Sequence, residues 1–149
     1  MRRIAGYPLW LGHAGDARDV AGLHEAGLGA VVELAIDEPP ASLPRDMIHA
    51  RFPLIDGAGN PPWLLRAAVE LVVLLLRADV PTLVCCGAGL SRTPAVAGVA
   101  IALVRGCSPE DGLAIVTRNG PADIAPGLWT ELRSAIVGKA GEESLEGGC

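Results

Sequence analysis

The stretch Pro81-Thr-Leu-Val-Cys-Cys-Gly-Ala-Gly-Leu-Ser-Arg-Thr93 decides the reading of this 149-residue chain. Pro81 to Cys86 is a short apolar run of strand type. Gly87 to Arg92 is a glycine-containing turn, and Thr93 to Arg105 reads as a helix that stays uncharged through Val104. Cys86, Gly89 and Arg92 stand at the spacing C-x-x-G-x-x-R, for which this composition predicts about 0.04 chance matches. The apolar strand before it and the uncharged helix after it make the pattern specific.

A turn between a strand and a helix N-terminus aims several backbone N–H groups at one point, where the helix dipole favours negative charge. A phosphate fits such a cradle. A thiolate at its base is favoured for the same reason, which makes Cys86 the candidate nucleophile. Arg92, in the first helical turn, can hold two phosphate oxygens with its planar fork. Gly87 and Gly89 permit backbone geometry and close approach that a side chain would block. The amides of Gly87, Ala88, Gly89, Leu90 and Ser91 are the candidate phosphate donors. Inorganic phosphate or sulfate is expected to fit the same loop.

Working outward, strands alternate with helices. Tyr7 to Leu11 reads as a strand, Gly12 to Gly15 as a turn, and Asp16 as the cap of a helix ending near Ala26 at Gly27. Ala30 to Ala35 is a buried-strand run, and Pro39, Pro40 and Pro44 make residues 37–44 a loop. Ile48 to Leu54 is another strand, ending at Ile55-Asp56. Asn60-Pro61-Pro62 opens a helix to about Arg77, with Asn60 at the cap. Ser108 caps a helix to about Asn119, and Gly127 to Val137 is the last one. The pattern predicts an α/β domain with a single central, mostly parallel sheet of four to five strands flanked by helices. Residues 139–149 are polar and glycine-rich and read as a disordered tail after a domain of residues 1–138.

Composition narrows the classes. Half the residues are hydrophobic and mean hydropathy is +0.39, enough for a sizeable core. No apolar run approaches the roughly 20 residues that span a bilayer. Net charge of −5 and a pI near 5.1 argue against a basic nucleic-acid or membrane binder. Cys85, Cys86, Cys107 and Cys149 form neither a disulfide framework nor a zinc spacing, so no metal is expected and the cytoplasm is the expected compartment. His13, His24 and His49 lack ligand spacing. Trp10 and Trp129 are expected in the core, and Trp63 in the core, as a surface staple or at the cleft.

Cys86 to Thr93 resembles the active-site loop of the cysteine-dependent protein phosphatases, in particular their small dual-specificity branch. The resemblance extends through Pro8 to Gly12, Asp16 to Asp19, Val31 to Ala35 and Phe52 to Asp56, covering roughly Tyr7 to Val137. It implies a protein-tyrosine-phosphatase-like fold and two-step phosphate-ester hydrolysis without a cofactor. Cys86 would form a phosphocysteine, and Asp56 would protonate the leaving oxygen and then activate water. Arg92 and the loop amides would stabilise the transferring charge. Thr93 would donate its hydroxyl to the departing sulfur. Asn60 matches a polar position after the acid and would orient that loop, cap the helix, or both.

One position departs from the family pattern. The residue before the nucleophile is usually His and here is Cys85. Without that His the resemblance implies a weaker bias toward the thiolate and a more alkaline rate optimum. Cys85 is either a redox partner for Cys86 or a core residue on the opposite face of the strand; side-chain alternation favours the core.

No variable loop position is basic, which favours a single phosphate group over polyphosphates. The chain is too short for elements that deepen a pocket. A phosphoprotein carrying phosphotyrosine or phosphoserine/threonine is the expected substrate, acted on by a monomer. A phosphatase of a small metabolite, nucleotide or phosphoinositide is the alternative. A non-catalytic phosphate-binding module is a third reading. Rhodanese-type sulfur transfer would need a tighter cysteine loop.

Overall fold

The aliphatic run Ala30–Ala35 is buried along its whole length and forms an inner strand, β3. Thr82–Cys86, β5, is buried in the same way beside it. A computed structural model describes the backbone of residues 1–147 and the side chains of residues 1–137. Around β3 and β5 it arranges β1 (Arg2–Arg3), β2 (Leu9–His13) and β4 (Ile48–Leu54) in the order β1-β2-β5-β3-β4. All neighbours are parallel except β1, which pairs antiparallel with β2 at one edge. This is the predicted single, mostly parallel five-stranded sheet.

Helices cover both faces, as parallel strands require. On one face lie α3 (Pro62–Arg77), α4 (Arg92–Arg105) and α6 (Pro126–Gly147), which share one apolar core with the sheet. On the other, Ala17 of α1 (Ala14–Arg18) and Leu23 of α2 (Val20–Glu25) pack with Val31 and Leu83. Helix α4 is buried without interruption from Arg92 to Ala102, and residues 93–102 of it carry no charge. It runs through the core, as a helix apolar on all sides must. Its outer side is closed by α5 (Pro109–Thr117), which approaches so closely that a Cβ at Gly112 would meet the Gly98 carbonyl.

The N-terminal third differs from the predicted boundaries. β2 continues to His13, because the parallel ladder with β5 stays in register until His13 faces Cys86. The expected helix from Asp16 is two short ones. His13 Nδ1 accepts from the Gly15 amide at 3.0 Å, and Asp16 accepts from the His13 amide at 2.9 Å, a reciprocal capping box that makes His13 the cap. Asp19 then starts the second helix by accepting from the Gly22 amide at 3.1 Å. Gly27 ends it with φ +70°, as predicted. The last helix runs past Val137, and the tail expected at 139–149 lies outside the residues whose side chains are described.

Candidate active site

Parallel strands place their C-terminal ends on one side of the sheet, where open α/β proteins bind ligands. Here the ends of β5, β3 and β4 deliver Cys86, Asp37 with Glu38, and Asp56 to one open cleft of about 500 Å³. Gly87, Ala88, Leu90, Ser91 and Arg92 form its floor, and Asp123 stands on the rim.

Cys86 is the last residue of β5 and is 4% exposed. The loop after it curls back over β2. Gly89 has φ +78°, and a Cβ there would lie 2.7 Å from the Gly12 carbonyl oxygen, so no larger residue fits. Gly87 is outside the left-handed region, and a Cβ there would make only ordinary contacts. The expected need for glycine therefore holds at Gly89 alone. None of the five amides from Gly87 to Ser91 donates to an acceptor among the described residues. Such a row of orphan donors ahead of a buried helix is an anion cradle.

Arg92 opens α4 and is 5% exposed. Its Nη1 donates to Asp37 Oδ1 at 2.6 Å and to the Leu54 carbonyl oxygen at 2.9 Å. Its Nε has no partner among the described residues. The protein thus fixes one corner of the guanidinium and leaves the other side of the fork unmatched. The Arg92 hydrogen bond holds the Asp37 carboxyl below its ordinary value.

Thr93 is fully buried, and its hydroxyl has no hydrogen-bond partner among the described residues, Cys86 included. The Ser91 hydroxyl accepts from the Ala125 amide at 3.0 Å, so its side chain ties the loop to the segment before α6. The Asp123 amide adds a bond to the Leu90 carbonyl oxygen at 2.7 Å.

Asp56 is exposed and opens the loop between β4 and α3. Asn60 does not cap α3; the cap position belongs to Pro61 and has no side-chain bond. Buried Asn60 instead braces the loop that carries Asp56. Its Oδ1 accepts from the Ile55 amide at 2.8 Å, and its Nδ2 donates to the carbonyls of Ile55 at 2.9 Å and Gly57 at 3.1 Å. From α6, Glu131 accepts from the Gly59 amide at 2.9 Å and the Asn60 amide at 3.2 Å.

Cys85 points away from the cleft into the α1–α2 side of the core, where its thiol donates to the Val32 carbonyl at 3.8 Å. Burial, reinforced by the nearby Glu33 charge, pushes that thiol up to about 12. Glu33 is itself satisfied, accepting from the Ala41 amide at 2.9 Å and meeting His49 Nε2 at 2.7 Å. Trp63 is exposed and does not line the cleft, and Trp10 is half-buried under Arg3.

Asp37, Glu38 and Asp123 were not among the residues expected at the site. Asp37 carried a signal: it lies two residues past the end of a buried strand, where parallel sheets place ligand-binding residues. Nothing local to Asp123 announces its place.

The architecture and this loop define a protein-tyrosine-phosphatase-like domain. Human DUSP28 superposes over 100% of both chains with a TM-score of 0.80 at 26% identity. A mouse putative dual specificity phosphatase, solved with zinc tungstate, gives a TM-score of 0.78 at 25% identity over 89% of this chain and 84% of that one. PTPMT1 in complex with PI(5)P gives 0.71 at 16% identity over 93% of this chain and 97% of that one, a likeness of fold alone. No family model and no curated protein sequence matches the chain. These likenesses, across most or all of the chain, support a place beside the small dual-specificity branch of the cysteine-dependent phosphatases.

Proposed function

We propose that the protein hydrolyses phosphate monoesters through a phosphocysteine on Cys86, with phosphoproteins as its substrates. The observation that carries this reading is the set of unpartnered donors around one thiol: the amides of residues 87–91 and Arg92 Nε. They match the oxygens of a phosphoryl group at the N-terminus of a buried helix.

In the first step Cys86 sulfur attacks phosphorus, an S–P bond forms and the ester P–O bond breaks. The leaving oxygen takes the proton of the Asp56 carboxyl. In the second step water attacks phosphorus, gives its proton to the Asp56 carboxylate and displaces the sulfur as inorganic phosphate forms. The Thr93 hydroxyl, buried and without another partner, is the donor for the departing thiolate. Arg92 and the loop amides stabilise the charge in transit, and Asp37 positions Arg92.

The open cleft suits phosphotyrosine and phosphoserine/threonine alike. Among the described residues Arg92 is the only basic one that lines it, which weighs against phosphoinositides and nucleotide polyphosphates. No helix among the described residues is long and apolar enough to cross a membrane. The chemistry requires a compartment that keeps Cys86 reduced, in keeping with the cytoplasm.

The test is turnover of an aryl phosphate by wild type, Cys86→Ser and Asp56→Ala. Cys86→Ser abolishes turnover and retains phosphate binding. Asp56→Ala slows it by about 10²–10⁴, less for esters with good leaving groups. Wild-type activity in Cys86→Ser overturns the mechanism.

A further inference from the structure

The cleft around Cys86 carries a second charge pattern outside its phosphate cradle. Among the described residues one cation, Arg92, lies on the floor, and four carboxylates, Asp37, Glu38, Asp56 and Asp123, line the walls and rim. Two of the four are neutralised by the protein: Asp37 by Arg92 at 2.6 Å and Glu38 by Arg18 at 2.9 Å. Asp56 and Asp123 are exposed and have no ion-pair partner among the described residues. Arg51, behind the Asp37–Glu38 segment, is turned onto the carbonyls of Ala35, Ile36 and Glu38.

The floor and the rim therefore ask for opposite charges. Buried Arg92, with Nε unpartnered, calls for an anion at the bottom. The rim repels any further negative charge and attracts positive charge beside the phosphate. Asp123 is held there by structure: its amide bonds the Leu90 carbonyl at 2.7 Å, and the Ala125 amide bonds Ser91 Oγ at 3.0 Å. Asp56 carries a proton when it acts as the acid, so Asp123 is the rim charge that persists through the first step.

We infer that the site selects phosphorylated residues flanked by arginine or lysine, and that Asp123 is a specificity-determining residue. The inference rests on the phosphatase reading above and names its substrate class. A small zwitterionic phosphate ester presents the same chemistry without a peptide, so the test includes one.

The experiment compares two phosphotyrosyl peptides that differ only in Arg or Glu at the flanking positions, with phosphocholine and an uncharged aryl phosphate alongside. At low salt, wild type prefers the Arg-flanked peptide in kcat/KM by about fivefold or more, the worth of one contact between exposed charges at about 4 Å. The preference shrinks toward unity at about 1 M salt, where screening length falls to about 3 Å. It weakens in Asp123→Asn and reverses in Asp123→Lys, exposed substitutions that leave the core untouched. Equal turnover of both peptides by an enzyme that hydrolyses the aryl phosphate overturns the inference and leaves the phosphatase reading standing. Absence of aryl phosphate turnover overturns that reading and the inference with it. A preference that survives unchanged in Asp123→Lys removes Asp123 from the account. Phosphocholine turnover above that of the Arg-flanked peptide overturns the assignment to phosphoproteins.

Discussion

Asp37 and Arg92 meet through one guanidinium nitrogen only: Nη1 lies 2.6 Å from Asp37 Oδ1, while Nε stays buried without a partner. The pair joins the end of β3 to the start of α4, two elements that share no sequence proximity. It leaves Nη2 beside the loop, 3.6 Å from where a Cβ on Gly87 would stand.

Asp37→Ala is expected to lower kcat/KM for an aryl phosphate by between about 10- and 100-fold, because a misaimed Arg92 loses transition-state geometry. Asp37→Asn, which keeps an acceptor oxygen, retains more activity. Arg92 holds the Asp37 carboxyl below its ordinary value. Any stability the pair adds is thus present above about pH 4 and is lost as pH falls through the lowered value. Steady-state kinetics of both variants at neutral pH check the assignment, and equal losses in Ala and Asn contradict it.

Asn60→Ala removes three hydrogen bonds that shape the Asp56 loop. It leaves the Ile55 amide and carbonyl without their buried partner, and is expected to cost about 1–3 kcal/mol in urea unfolding. Because the damage falls on the loop of the proposed acid, its effect on kcat is expected to grow as the leaving group becomes poorer, in parallel with Asp56→Ala. A loss that is the same for all leaving groups assigns Asn60 to stability alone.

Gly89→Ala introduces a Cβ 2.7 Å from a backbone oxygen at a φ of +78°. The expected result is a distorted cradle, loss of phosphate binding by calorimetry, and destabilisation of about 1–3 kcal/mol. Gly87→Ala, which meets only ordinary contacts, is expected to fold normally. The contrast between the two variants is the measurement.

The two adjacent cysteines are expected to behave oppositely. Native protein alkylated at pH 8 and digested carries label on Cys86 and none on Cys85, whose thiol is raised to about 12. Burial favours the protonated form in the fold, so no pH dependence arises from Cys85 below about pH 8. Above it the unfolded chain loses a proton that the folded chain keeps, and stability falls as pH rises toward 12. Denaturation of wild type and Cys85→Ala between pH 8 and pH 10 reads this difference, which vanishes if Cys85 ionises in the fold.

Local sequence carried much of this site. Cys86, Gly89 and Arg92 lie on one strand–turn–helix, and their spacing along the chain announces that Cys86 and Arg92 meet at one cleft. Ala30–Ala35 and Ile48–Leu54 were legible as strands because burial and alternation write themselves into consecutive residues. The role of Asn60 was ambiguous, since an Asn before two prolines serves equally as a cap or a brace, and only the position of Ile55 and Gly57 decides. His13 as the cap was hidden because the ladder with β5 carries β2 past the glycine that looked like a turn. Asp37 and Asp123 belong to the site through contacts 55 residues from Arg92 and across the loop from Leu90. No window along the chain contains both partners.

The central claim is a covalent phosphoryl group on Cys86. Asp56→Ala should slow release of phosphate from that intermediate as well as its formation. Acid quenching of this variant with an aryl phosphate bearing a good leaving group, followed by peptide mass analysis, reads it directly. The account predicts one added phosphoryl group on the peptide containing Cys86, absent from Cys86→Ser and from unreacted protein. Turnover of the ester with no phosphate on Cys86 at any quench time, and undiminished in Cys86→Ser, would contradict it.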